Sequence, residues 1–242
     1  MQTLMRLCGI PLRVLHEQVG LREVCADYLD RETAGEARLT IPLGGDETKE
    51  EEARLGAGAR RLPSGYVESL ALCRRFCAAA MDSDVLLFHS SALALDGGAY
   101  LFAAPSGTGK STHAAYWRAL LGERAVMIND DKPFLRREEG IWYVYGSPWK
   151  GKHGLGGNLR VPLRGICLLE RGEENLLRAM KGEEAFPRLF AQTQRGESEN
   201  QMRRELQLLS DLTERIPVWH LRCRADLAAA EVAYDGMVGG KR

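Results

Sequence analysis

The chain has 242 residues, 45% apolar and 27% charged, enough to bury a sizeable core as one domain or a domain with an appendage. Its 33 basic side chains balance 33 acidic ones, so net charge gives no reason to expect nucleic acid or an anionic membrane as partner. No apolar run approaches the roughly 18 residues of a membrane-spanning helix, and Arg6, Pro11 and Arg13 break up an N-terminus that would otherwise suit a signal peptide, which makes the cytoplasm the expected compartment.

Residues 1–62 are expected to form an N-terminal appendage packed on a core domain of residues 63–242. In the appendage, the short apolar stretches 12–15 and 39–43 predict strands separated by polar, glycine-rich sequence. Residues 44–61 are charged and lack a long apolar face, which predicts an exposed loop or short surface helix. The acidic run Glu50, Glu51 and Glu52 reads as a solvated face of it. From Pro63 the character changes. Tyr66, Leu70, Cys73, Cys77 and Ala80 recur at helical spacing and predict one buried face, with Arg74 and Arg75 pointing elsewhere. The six cysteines form no CxxC pair, so they read as buried free thiols rather than zinc ligands.

The run VLLFHSSALAL then predicts one strand with His89 embedded in it. Asp96-Gly97-Gly98 is a hairpin signal, and AYLFAAP is the returning strand. A helix is predicted over Lys110–Leu121, closed by Gly122. Further strands follow at RAVMIND, PFLRR, IWYVYG, RGICLLER and VWHLRC, with helices at 183–194, 200–216 and 226–237, the last followed by Gly239 and Gly240. Interleaved strands and helices make this an α/β protein.

Residues 104–111 read APSGTGKS, against the phosphate-binding template GxxxxGK[ST]. Glycines there let successive backbone N–H groups converge on phosphate oxygens. The candidate cradle is Ser106, Gly107, Thr108, Gly109, Lys110, Ser111 and Thr112. Lys110 would reach the β and γ phosphates, and the Ser111 hydroxyl would ligate magnesium. The positive end of the following helix would face the phosphates. Position 104 is Ala where the template has Gly, which is tolerated unless φ there is positive. Twenty residues beyond Lys110, a strand ends in Asp130 and Asp131, where a phosphate-cradling protein needs a carboxylate for magnesium. With Ser111, these two are the candidate metal ligands. Either aspartate could hold the metal while the other accepts a proton from an attacking hydroxyl.

His89, SGTGKST and NDD together resemble the catalytic domain of HPr kinase/phosphorylase. SGTGK with the paired aspartates also resembles ATP-dependent phosphoenolpyruvate carboxykinase, which shares that fold. The longer string, from FHSSAL through YLFAAPSGTGKSTH and MINDDKP to YGSPWKGKH, is similar to small bacterial HPr-kinase-like proteins over about residues 84–170. The resemblance implies the P-loop mixed-sheet fold of the HPr kinase C-terminal domain and of the carboxykinase. It also implies ATP and magnesium as cofactors, a homo-oligomer, and catalytic roles for His89, Asp130 and Asp131.

Residues 146–158 place Lys150, Lys152 and His153 among five glycines and one Trp. The segment reads either as a loop closing over phosphates or as a flexible crossover. The resemblance, not the spacing, singles out Lys152 within it as a catalytic cation for transition-state charge. Trp149 either stacks on a base or packs. His113 is expected to point away from the phosphates, and His220 to be a core or edge-strand residue. Arg160 and Arg164 flank the next strand, where either could meet a phosphate, and they read more simply as surface residues.

These features point to an ATP- and magnesium-dependent phosphotransferase acting on a hydroxyl of a protein or peptide serine or of a small metabolite. A nucleotide-dependent switch with slow ATP hydrolysis would use the same cradle. Intact Lys110, Ser111, Asp130 and Asp131 argue against a degenerate homologue.

Overall fold

The structure, a computed structural model, describes residues 1–30 and 37–239. Gly240 and part of the polar stretch between the first two predicted strands lie outside the described residues. The chain forms two compact units, residues 1–82 and 83–242.

In the first unit, β1 (Gln2–Leu7), β2 (Ile10–Leu15) and β3 (Leu39–Pro42) make a three-stranded sheet in that order, β1 and β2 antiparallel, β2 and β3 parallel. Its helices are α1 (Gly20–Val24), α2 (Gly45–Leu55) and α3 (Ser64–Ala80). No residue of α2 is buried, as its composition predicts. The expected α3 face is corrected. Tyr66 and Leu70 are only half-buried, while Val67, Ala71, Phe76 and Arg74 join Cys73, Cys77 and Ala80 inside. Arg74 is 8% exposed because α2 lies over it. Its guanidinium meets Glu51 at 3.1 Å and Glu50 at 3.2 Å. Two of the three acids expected to be solvated are thus the partners that let a cation be buried.

In the second unit, β4 (Val85–Leu87), β5 (Ser90–Leu95), β6 (Gly98–Ala103), β7 (Ala125–Asn129), β8 (Phe134–Glu138), β9 (Ile141–Tyr145), β10 (Arg160–Arg171), β11 (Leu176–Ala179) and β12 (Val218–Cys223) form one mixed nine-stranded sheet. The helices are α4 (Lys110–Leu121), α5 (Gly182–Phe190), α6 (Glu199–Arg215) and α7 (Leu227–Met237). Strand β10 joins the two halves. Its start pairs antiparallel with β9, and its remainder runs parallel between β6 and β12. The register shifts between Leu163 and Gly165. Gly165 is required at this bend, because a Cβ there would lie 2.5 Å from the Trp219 ring.

The Asp96-Gly97 signal gives the expected β5–β6 hairpin, with φ of 48° and 78° at its two turn residues. The single strand expected over VLLFHSSALAL is corrected: it is two strands. β4 pairs with β8, β5 pairs with β6 and β7, and His89 lies between them. An apolar run has no period that marks such a change of neighbours. The break is fixed elsewhere in the chain, by His89 N–H donating to Gln192 O at 2.7 Å and Gln194 N–H donating to Leu87 O at 3.2 Å.

Strand β5 runs antiparallel to both β6 and β7, and β10 and β12 run parallel to β6. The carboxyl ends of β6, β7, β10 and β12 therefore lie at one end of the sheet. Beneath them, Leu93, Phe102, Cys167 and Leu221 pack with Trp117 of α4 and with Ala230, Ala233 and Met237 of α7. Trp117 and Phe102 are fully buried, with ring centroids 5.0 Å apart. These buried aromatic rings pack beneath the loop that leaves β6. No helix among the described residues is long and apolar enough to cross a membrane.

Candidate functional site

The loop after β6 has its shape from two glycines. Gly107 and Gly109 have φ of 78° and 120°, a region that residues with a Cβ rarely adopt. Ala104 is not among the positive-φ residues, so the one departure from the template is sterically neutral. Helix α4 begins at Lys110 with Gly109 as its N-cap and no side-chain cap. Its first-turn N–H groups and positive dipole end thus face the loop's concavity without a competing side chain. Lys110 is buried and folds back, its Nζ donating to Ala104 O at 2.9 Å.

The aspartates stand at the end of β7. Asp130 is 6% exposed, and its Oδ1 accepts from Ser91 Oγ of β5 at 2.6 Å. Asp131 is more accessible. Its Oδ1 lies 3.3 Å from His89 Nδ1, and its Oδ2 accepts from Lys132 Nζ at 2.8 Å. Asn129 sets the orientation of the pair. Its Oδ1 accepts from the N–H groups of Asp131 at 2.8 Å and Lys132 at 2.7 Å, while its Nδ2 donates to Ser147 O and Oγ at 3.1 and 3.0 Å. This Asx turn explains why two adjacent acids, which on a strand would face opposite ways, can both serve one site.

The charges are coupled. Burial lowers the Lys110 pKa, and Asp131 and Asp130 oppose that shift. Burial is also the largest cause of a lowered His89 pKa, followed by Lys110, while Asp131 pulls the other way. The shift favours the neutral form of His89. Lys110, Asp130, Asp131 and His89 thus form one electrostatic group, with Ser111 following Lys110 in α4. Lys152 is exposed, and no hydrogen bond or ion pair joins it to the group. Its segment nonetheless adjoins the pair. A Cβ on Gly151 would lie 3.0 Å from Asp131 Cβ, and Gly157 N–H donates to Ile128 O at 3.1 Å. Trp149 is buried edge-on against Phe134 with centroids 6.1 Å apart, so it packs rather than offering a face to a base.

Asn129, Ser91 and Arg171 were not singled out by the sequence. Asn129 stands in the string NDD, and an Asn before a turn is a recognisable Asx signal. Ser91 and Arg171 leave no local mark. Arg171, at the end of β10, donates from Nη2 to Gly107 O at 2.5 Å and from Nε to Thr108 O at 3.3 Å. A loop that turns its N–H groups inward turns carbonyls outward, and Arg171 satisfies two of them.

Two clefts flank the loop. The first, about 500 Å³, is lined by Gly107, Thr112, His113, Tyr116, Arg224 and Ala225 among others. The second, about 470 Å³, lies between the ends of β6 and β10 and the end of α5. His113 is buried edge-on against Phe102, and its Nε2 has no hydrogen-bond partner among the described residues. Burial lowers its pKa to about 4. Because the folded value lies below the unfolded one, the unfolded chain takes up more protons as pH falls. Stability is full above the unfolded pKa near 6.5 and is lost as pH falls towards 4. Between pH 7.5 and 5, His113 is expected to cost about 2 kcal/mol of unfolding free energy, and His113→Gln is expected to remove that slope. Urea unfolding at both pH values checks this, and an unchanged slope in the variant rejects it.

No family model matches the chain, and no curated protein sequence matches it. Among solved structures, the chain is similar to the Hpr(Ser) kinase/phosphatase from Coxiella burnetii. The TM-score is 0.37 and the identity 11%, covering 64% of this chain and 99% of that one.

Proposed function

We propose that this chain is a kinase that transfers the γ-phosphoryl group of ATP, with magnesium, to a hydroxyl. The observation that carries the reading is the meeting, at one end of the sheet, of the glycine loop bearing Lys110 with Asp130, Asp131 and His89. A cradle alone would serve a switch equally well. A carboxylate beside it, with a neutral histidine to orient it, suits an acceptor that must lose a proton.

The residues fit the ligands that the reading requires. A Cβ on Gly107 or Gly109 would meet no atom within 4 Å, so these two glycines border open space. Ser111, Asp130 and Asp131 supply hard oxygen donors of the kind magnesium takes together with phosphate oxygens. Among the described residues, no group of three or more His, Cys, Asp or Glu side chains could hold a metal ion. The ion would therefore be shared between the chain and the nucleotide, and when bound it neutralises charge on the β and γ phosphates. Lys110 exchanges its bond to Ala104 O for a phosphate oxygen. Asp131, the more accessible acid, takes the hydroxyl proton, and Asp130 contributes to the metal. His89, neutral and protonated at Nδ1, donates to Asp131 and holds its orientation. In this reading the protein is cytoplasmic, assembles as a homo-oligomer, and needs neither nucleic acid nor membrane.

The test is transfer of label from γ-labelled ATP, with magnesium, in a filtered bacterial lysate. Wild type is expected to label a protein, peptide or metabolite. Lys110→Ala is expected to weaken nucleotide binding about 10- to 100-fold, the worth of a hydrogen bond to a charged group, with label falling in step. Label appearing only as free phosphate with wild type rejects the kinase and leaves the nucleotide switch.

A further inference from the structure

The two clefts beside the loop differ in how they reach the aspartates. Gln192 lines the second cleft, and its carbonyl accepts from the N–H of His89 at 2.7 Å, while His89 Nδ1 lies 3.3 Å from Asp131. None of the hydrogen bonds of His89, Asp130 or Asp131 described above reaches a residue of the first cleft. With the nucleoside over Thr112 and Tyr116 in the first cleft, the second cleft would be left for the acceptor. The second cleft borders the loop at Pro105 and Thr108 and adjoins His89 through the Gln192 carbonyl.

Its chemistry is mixed. Leu168, Leu169 and Ala191 give an apolar wall, and Arg188 of α5 stands at its edge. The carboxylate facing Arg188 is that of Glu170, 4.0 Å away, and His220 Nε2 already holds the same oxygen at 2.9 Å. Arg171, also lining the cleft, is bound to loop carbonyls and not to an acid. Arg188, which Glu184 also influences, and Arg171 are the cations that line the cleft, with Glu170 as its lining carboxylate. A volume of about 470 Å³ suits a small molecule rather than the face of a protein.

We propose that the second cleft is the acceptor subsite and that its acceptor is a small hydroxy acid. Its apolar stem lies on Leu168, Leu169 and Ala191, its anionic group pairs with Arg188, and its hydroxyl is presented to Asp131. The hydroxyl oxygen forms a bond to the γ-phosphorus as the bond from that phosphorus to the β,γ-bridging oxygen breaks. The electron pair leaves with ADP, and the hydroxyl proton passes to Asp131 and then to water. This assignment rests on the kinase reading above.

The experiment offers the full chain γ-labelled ATP, magnesium and three pairs of acceptors, each an acid with its neutral counterpart. The pairs are glycerate and glycerol, 3-hydroxybutyrate and 1,3-butanediol, and mandelate and 1-phenyl-1,2-ethanediol. At least one acid is expected to be labelled, at ten times or more the rate of its neutral counterpart. Arg188→Gln is expected to raise KM for that acid about tenfold, with KM for ATP as the reference that separates acceptor loss from nucleotide loss. Ala191→Trp, which fills the cleft, is expected to raise KM for the acid further. Neutral members labelled as well as acids, an unchanged acid KM in both variants, or no labelled acid from a protein that binds Mg·ATP each overturns the assignment. A protein that binds no Mg·ATP overturns the kinase reading, and this assignment with it.

Discussion

Asp131→Asn is expected to lower the rate of phosphoryl transfer about 10²- to 10⁴-fold, the range of a positioned general base, while ATP affinity stays within about threefold. The split follows from where the side chain stands. Asp131 is the accessible member of the pair, 3.3 Å from His89 and bound by Lys132, whereas the cradle is built from the loop and the start of α4. The isosteric amide keeps the shape and cannot accept the proton. Asp130→Asn is expected to act differently. Asp130 is buried against Ser91 Oγ, and its replacement should raise the magnesium concentration needed for half-maximal rate. Steady-state kinetics across ATP and magnesium concentrations separates the two. If each variant retains full transfer, the proposed mechanism is wrong.

The contrast between these aspartates shows what the sequence could and could not convey. The loop, the start of α4 at Lys110 and the acidic end of β7 were legible, because each depends on residues within a few positions of one another: glycines where φ is positive, a helix start after them, an apolar run ending in acids. The division of labour was not legible. It depends on Ser91 and His89, roughly forty residues upstream of the aspartates, meeting them across strand pairing. The same holds for Arg171, whose bonds to Gly107 and Thr108 span more than sixty residues. It holds for Arg74, which periodicity turned outward until α2 supplied Glu50 and Glu51. The split between β4 and β5 belongs to this class too, since a uniformly apolar stretch suits either neighbour. Local conformational preference can be read along the chain, whereas the partner of a charge, or the neighbour of a strand, is a property of the assembled fold.

Asn129→Ala tests that point where local and distant information meet in one side chain. Asn129 is fully buried and makes four hydrogen bonds, two that fix the backbone of Asp131 and Lys132 and two that tether Ser147 at the start of the 146–158 segment. Truncation removes the Asn129 acceptor from the half-buried N–H groups of Asp131 and Lys132 and its donor from the buried Ser147, and each bond lost in this way costs about 1–3 kcal/mol unless water enters. The expected loss of unfolding free energy is about 2–4 kcal/mol. The rate of transfer is expected to fall about 100-fold, because the aspartates lose their common orientation and a misplacement of about 1 Å costs that much. Nucleotide affinity should change little, since no bond from Asn129 reaches residues 104–112. Asn129→Asp keeps an acceptor for Asp131 and Lys132 but gives up the donor to Ser147. It should therefore retain more of the bond geometry at the pair than of the tether, and add charge beside two acids already present. Denaturant unfolding, kcat and ATP binding measured on the same preparations decide between positioning and general damage. A fall in ATP affinity as large as the fall in kcat would mean that Asn129 supports the whole end of the sheet and has no special hold on the catalytic pair.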